Sequence, residues 1–300
     1  MDMRQLETFR KVALLGSVTR AAGELRYAPS TVTAQIKTLE GEFGVALFER
    51  SGRGTRLTAA GERLLPYADK MLDLLAEARH TLRPESEPSG LLVVGTMESI
   101  TSYRLPPLLE LLHHRFPRLR LSMRPTSCQE TQAALRHGTF DVGFLMQEEV
   151  SHPGLQSLVL CEEPLTLVAA PDDPIAAEPA IDLDRLRATK ILGTEPGCVY
   201  RDRFIELLSG DSPEPFPVLE MGTIEAIKRS VEVRLGVALL PRIAVAGELA
   251  AGTMVELPWE VPFRIYTQVA WNENKWMSPE LRTFVDEVAR VLREEATAGR

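Results

Sequence analysis

Residues 18–50, VTRAAGELRYAPSTVTAQIKTLEGEFGVALFER, decide the fold of the N-terminal part of the chain. The spacing predicts a first helix over Val18–Leu25, with Ala21, Ala22 and Leu25 turned inward at intervals of three to four residues. Residues 26–28 make a turn. A second helix starts at Pro29, where a missing N–H costs nothing, and Ser30 and Thr31 bring hydroxyls to its first turn. Val32, Ile36 and Leu39 form its buried stripe, which leaves Ser30, Thr31, Thr33, Ala34, Gln35 and Lys37 for an exposed face. Small polar side chains let a helix approach the floor of a major groove, and Gln and Lys reach bases or phosphates.

Helix pairs with this periodicity occur in many proteins, and two further features point to nucleic acid. Residues 1–80 carry a net charge of +2 and residues 81–300 a net charge of −10, which together give the −8 of the whole chain. Phosphate contacts need the basic balance of the first part, whereas the acidic remainder would repel a duplex and has another task. Residues 49–58, ERSGRGTRLT, place Arg50, Arg53 and Arg56 at every third position around two glycines. A tight hairpin would present them as the tip of a wing, against phosphates or the adjacent minor groove.

Residues 3–50 followed by LTAAGERLL at 57–65 resemble the N-terminal domain of the LysR-type transcriptional regulators, and the resemblance extends over essentially the full chain. It implies a winged helix-turn-helix at 1–60 whose second helix reads an operator in double-stranded DNA. By position, Ser30, Thr31, Thr33 and Gln35 would then face bases, while Lys37, Arg50 and Arg53 would meet the backbone. Two departures stand out. Pro29 replaces the usual Gln, removing one expected base contact, and Thr33 replaces the usual Ser while keeping the hydroxyl.

Residues 58–82 contain no glycine after Gly61, and Pro66 is their only proline. Leu64, Leu65, Ala68, Met71, Leu72, Leu75 and Ala78 form a stripe too long for a small head to cover, as expected of a helix that meets its like in a partner chain. Pro66 is expected to bend this helix or to sit in its first turns. The resemblance implies a linker helix pairing two subunits antiparallel, so that two heads read a dyad-symmetric site, with a homotetramer and contact with RNA polymerase beyond that. Residues 83–90, RPESEPSG, read as a hinge.

From residue 91 onward, short apolar strands alternate with amphipathic helices. Strands are expected at 91–95, 119–123, 141–146, 165–169, 191–193, 237–240 and 265–270, and helices at 105–114, 129–137, 201–208, 224–233 and 279–295. Such repetition predicts an α/β fold with mostly parallel sheets. The resemblance implies an effector-binding domain at 90–300 with two lobes like those of periplasmic binding proteins. Lobe I would span about 90–162 and 266–300, lobe II about 163–265, with crossings near 160–164 and 262–265.

Ligands of open α/β sheets sit beyond the carboxyl ends of strands, often against helix N-termini. Residues 96–102 (TMESITS), 126–129 (TSCQ) and 194–200 (TEPGCVY) meet that description. With the loop before the helix at 224, the resemblance implies an effector site at Ser99, Ile100, Thr101, Ser127, Cys128, Cys198, Tyr200 and Thr223. Each hydroxyl serves a helix cap or turn equally well. A small, anionic effector is expected, with Arg104 and Arg201 as counter-charges.

Cys128, Cys161 and Cys198 form no close pair and no metal-ligand spacing, so neither a metal nor a cofactor is expected. Cys198 at a helix N-terminus would have a lowered pKa, which keeps open a redox-sensing regulator built on Cys198 or Cys128. A solute-binding protein would explain two lobes but not a basic head. An enzyme would need a nucleophile elbow or glycine-rich phosphate loop, and neither motif occurs. No apolar run reaches membrane-spanning length, and the expected location is the cytoplasm. Within residues 230–241, SVEVRLGVALLP, Arg234 stands where the family commonly has glycine. If the backbone there keeps a positive φ, Arg234 is strained by roughly 1 kcal/mol; the expectation is instead that the helix ends differently, with Arg234 favouring the helix dipole or reaching a neighbouring subunit or the cleft.

Overall fold

The computed structural model describes residues 1–51, 54–82, 87–212, 214 and 216–298. They form two compact units, the first built on Met1–Glu87 and the second on most of the rest.

The first unit runs α1 (Met3–Leu15), α2 (Val18–Leu25), α3 (Pro29–Phe43), β1 (Phe48–Ser51), β2 (Gly54–Leu57) and α4 (Ala59–Thr81). Asp2 starts α1 in a reciprocal capping box with Gln5, and Ser17 caps α2 through the Arg20 amide. Arg26 closes α2 in the left-handed conformation at φ 57°. Pro29 opens α3, but no side chain caps it, so the hydroxyls of Ser30 and Thr31 remain on the exposed face instead of closing the first turn. Leu6, Phe9, Val12, Ala21, Ala22, Val32, Ile36 and Leu39 bury the inner faces of the three helices.

β1 and β2 pair antiparallel, Phe48 opposite Leu57 and Arg50 opposite Thr55. The hairpin is pinned to the turn between α1 and α2, where the Thr55 amide donates to the Gly16 carbonyl at 2.9 Å. Gly54 has φ 150°, and a Cβ there would lie 2.6 Å from that same carbonyl, so only glycine fits the approach.

The stripe on α4 divides differently from the sequence expectation. Leu65, Ala68 and Leu72 are buried in the core of their own unit and Leu64 packs against it. What stays exposed is a neighbouring line, Tyr67 (63%), Met71, Leu74 (65%) and Ala78. Two apolar stripes at helical period lie side by side, and α1 covers only one of them. Pro66 lies inside α4, as its eighth residue, at the start of the third turn.

The second unit contains two five-stranded sheets. The first is built from β3 (Gly90–Thr96), β4 (Leu119–Pro125), β5 (Val142–Gln147), β6 (Leu155–Glu162) and β12 (Tyr266–Asn272), in the order β4-β3-β5-β12-β6. Around it lie α5 (Glu98–Tyr103), α6 (Pro106–Arg115), α7 (Cys128–Arg136) and α12 (Pro279–Ala298). The second is built from β7 (Leu165–Ala169), β8 (Ile191–Gly193), β9 (Val218–Glu220), β10 (Val237–Pro241) and β11 (Val255–Glu256), in the order β11-β7-β10-β8-β9. Its helices are α8 (Leu183–Arg187), α9 (Val199–Ser209), α10 (Ile224–Glu232) and α11 (Arg242–Ala251), with a 3-10 turn at Pro174–Ala177.

The sheets are mixed, not mostly parallel. β3 runs parallel to β4 and β5, and β8 runs parallel to β9 and β10. β12 is antiparallel to both its neighbours, as is β7. The chain leaves the first sheet after β6 and returns to it as β12, so each crossing strand enters its sheet against the βα direction. The crossings are tied together where the Glu163 amide donates to the Ile265 carbonyl at 2.7 Å.

At Arg234 the strained alternative holds and not the altered helix end. The backbone keeps the left-handed turn that glycine would favour, with Arg234 at φ 60°, and its guanidinium pairs with Asp172 at 3.3 Å on the surface. Left-handed backbone costs a non-glycine residue about 1 kcal/mol or more, and an exposed ion pair offsets little of it. Arg234→Gly should therefore raise stability by roughly 1 kcal/mol, read as a higher denaturant midpoint at unchanged slope. A lower midpoint would show that the Asp172 pair outweighs the backbone term.

Candidate functional site

The exposed face of α3 is the first candidate. Ser30, Thr31, Thr33, Ala34 and Lys37 are all exposed. The Thr33 hydroxyl donates to the Pro29 carbonyl at 2.9 Å, keeping its lone pairs outward. Gln35 is half-buried, and its side-chain oxygen accepts from the hydroxyl of the buried Thr8 at 2.5 Å. Arg50 lies on β1 opposite Thr55. Arg53 lies outside the described residues. Sequence reasoning missed Glu40, whose carboxylate accepts from the amides of Leu47 and Phe48 at 2.8 and 3.2 Å and ties α3 to the wing. Its signal was a carboxylate on the inner side of α3, seven residues before an apolar turn.

The second candidate is a cavity of about 410 Å³ between the two sheets of the second unit. The N-termini of α7, α9 and α10 all open on it, through Cys128, Val199 and Ile224. Of the expected effector residues, Ser99, Ser127, Cys128, Cys198, Tyr200 and Thr223 line it. Ile100 does not, because its side chain is buried in the first lobe. Thr101 does not either, since its hydroxyl bonds Thr96 Oγ1 and the Met97 carbonyl at the first turn of α5. Thr223 lines the cavity while capping α10 through the Ala226 amide at 3.1 Å, so both roles weighed for it are filled.

Sequence reasoning missed the carboxylates. Glu98, Glu130 and Glu195 line the cavity, and among the described residues no Lys, Arg or His does. Glu98, on α5, accepts from the Ile224 amide of α10 at 3.0 Å, joining the two lobes across the cavity. Glu130 accepts from the Ser127 amide at 2.9 Å. The two arginines expected as counter-charges are committed elsewhere. Arg104 makes a two-pronged contact with Glu163 at 2.9 and 3.1 Å, and Arg201 pairs with Asp202 and Glu220 at 2.9 and 3.0 Å. The expected anionic effector thus finds no basic side chain in the wall. Thr194 Oγ1, also in the wall, is shielded from solvent without a hydrogen-bond partner of good geometry.

The thiols differ from expectation too. Burial pushes Cys128 up to about 12, and burial also raises Cys198 above the usual thiol value. Loss of solvation at a charged sulfur outweighs the helix N-terminus that would lower it. The thiolate is the reactive form, so near pH 8 iodoacetamide should label both cysteines at least about tenfold more slowly in the native chain than in denaturant. Equal rates, followed by mass spectrometry, would restore the redox reading. Among the described residues no cluster of three or more His, Cys, Asp or Glu gathers to hold a metal. No helix among them is long and apolar enough to cross a membrane.

A winged helix-turn-helix head joined by a long helix to a two-lobed cavity domain defines a ligand-responsive DNA-binding protein. Residues 3–62 match the family of bacterial regulatory helix-turn-helix proteins, lysR family, and residues 85–293 match the LysR substrate binding domain. The chain belongs to the LysR-type transcriptional regulators, a family of DNA-binding regulators with a ligand-binding two-lobed domain and not of enzymes. It is 37% identical to the uncharacterized HTH-type transcriptional regulator YwqM of Bacillus subtilis over 287 residues, covering 95% of this chain and 98% of that one. It is 36% identical to YfiE of Escherichia coli over 286 residues, covering 95% and 97%. Among solved structures, a full-length OxyR variant from Pseudomonas aeruginosa superimposes with TM-score 0.79 at 25% identity, covering 98% of this chain and 95% of that one. ArgP from Mycobacterium tuberculosis shares the fold with TM-score 0.70 at 20% identity, covering 97% of each chain.

Proposed function

We propose that Ser30, Thr31, Thr33 and Gln35 read base edges of a dyad-symmetric operator, while Lys37, Arg50 and Arg53 hold its phosphates. The observation that carries this reading is the outer face of α3, which is small, polar and exposed along its first two turns. The exposed line of Tyr67, Met71, Leu74 and Ala78 on α4 supports pairing of two subunits through that helix, which would place two heads on one operator. Tetramer formation and contact with RNA polymerase extend the same reading. A small molecule in the interlobe cavity would change lobe closure, and would shift DNA binding only by its affinity difference between the open and closed forms.

Footprinting on one operator and its single-base variants, at fixed salt, tests the head. Thr31→Ala should relax preference at one base pair by about 1 kcal/mol and leave the others unchanged. Arg53→Ala should weaken all sequences alike and reduce the salt slope by about 1. Uniform loss with Thr31→Ala, or sequence-selective loss with Arg53→Ala, would reverse the assignment.

A further inference from the structure

The charge of the interlobe cavity is opposite to the one a carboxylate effector needs. Three carboxylates line it, against helix N-termini worth roughly +0.5 each. The α7, α9 and α10 ends together supply roughly +1.5 against −3; all three carboxylates are exposed, so water screens them, and the balance on the approach to the cavity is still negative. Three of the amides near these helix ends already hold a carboxylate of the chain itself. Glu98 sits on the Ile224 amide, Glu130 on the Ser127 amide, and Asp202 on the Gly197 amide at 3.0 Å. Lys228, on the far side of α10, is held by Glu225 and Glu248 at 3.3 and 2.6 Å and lies over the Tyr103 ring. The rest of the lining is apolar and soft, including Met97, Met146, Pro125 and Val199. The Tyr200 phenol is pushed well above its usual value by burial first, then by the adjacent Cys198 thiol, with Glu195 a smaller contributor.

We propose that the cavity selects an effector carrying a protonated amino group on an apolar body and rejects carboxylates, with Glu98 and Glu195 as the charge-selecting residues. This rests on the reading of the cavity as the effector site. Glu98 has a double part: one oxygen holds the two lobes together at α10, so a cation drawn to this carboxylate meets the contact that closes the cavity. An anion at the α10 end would have to displace Glu98, and at any of the three helix ends it would face Glu195 and Glu130 with no basic side chain among the described lining residues. The volume of about 410 Å³ suits a compact, single-ring molecule.

Calorimetric titration of the full-length protein at neutral pH with benzylamine, benzyl alcohol and benzoate isolates charge at constant shape. Benzylamine should bind about tenfold or more tighter than benzoate, with the alcohol between them. The double change Glu98→Gln and Glu195→Gln should bring the three within about threefold. Gln at 98 still accepts from the Ile224 amide, so lobe contact is kept while charge is removed. Gly222→Trp places bulk at the cavity mouth, where an added Cβ meets nothing within 4 Å, and should abolish binding of all three. Benzoate binding as tightly as benzylamine, or no benzylamine binding, overturns the charge selection. Binding indifferent to Gly222→Trp overturns the cavity as the effector site, a distinct result.

Discussion

Arg104→Ala is expected to lower the stability of the second unit by about 3–5 kcal/mol, because it strands a buried carboxylate. Glu163 is only 2% exposed and sits where the chain crosses from the first sheet to the second. Its oxygens accept from Arg104 Nε and Nη2 and from the Thr267 hydroxyl, and its amide is bound to the Ile265 carbonyl. Without the guanidinium, one negative charge remains in a site closed to water. For a domain of this size the loss amounts to a fall in melting temperature on the order of 10 °C. Adding Glu163→Gln to Arg104→Ala should restore most of it, since a neutral amide needs no counter-ion. A single variant that melts with the parent would show that water already reaches Glu163.

Gly61→Ala should have the largest effect on the head, about 3 kcal/mol of destabilisation together with loss of operator binding. A Cβ at this position would stand 2.3 Å from the Leu47 carbonyl and 2.7 Å from the Leu57 side chain, and the carbonyl cannot move away. That carbonyl accepts from the Thr58 amide at 3.0 Å, and the Thr58 hydroxyl both donates to the Ala46 carbonyl and receives the Gly61 amide. The start of α4 is thus knitted to the segment that leads into β1 of the wing. Forcing the two apart would tilt the wing away from α3, so loss of DNA affinity should exceed loss of helix content in circular dichroism. Full operator affinity in Gly61→Ala would show that the wing adjusts freely.

Short-range order was legible because it has local causes. Pro29 at a helix start and the three-to-four-residue spacing of Val32, Ile36 and Leu39 define α3 without reference to any distant residue. Seven of the ten sheet strands were visible for the same reason; β6, with exposed polar residues along it, and the two- and three-residue β11 and β9 were not, nor was the reversal of the crossing strands, since direction depends on the connection and not on composition. On α4 the periodicity revealed an apolar helix but did not divide its two stripes, because that division depends on which residues α1 covers. The charge of the cavity was illegible for a sharper reason. Arg104 and Glu163 lie 59 positions apart, Glu98 and Ile224 lie 126 apart, and only the folded chain shows which charges cancel. Helix position suggested a lowered pKa for Cys198, while its surroundings in the folded domain push the thiol the other way.

The bond between Thr8 and Gln35 constrains what the head can recognise. Gln35 is held with its carbonyl oxygen turned inward to Thr8, so its amide hydrogens are the part offered outward. Adenine in a major groove asks glutamine for a donor and an acceptor at once, and a side chain anchored this way brings only the donor. If Gln35 reads a base pair as proposed, the head should there favour an edge rich in acceptors, guanine or the thymine O4. Thr8→Val would release the amide to rotate and widen that preference towards adenine.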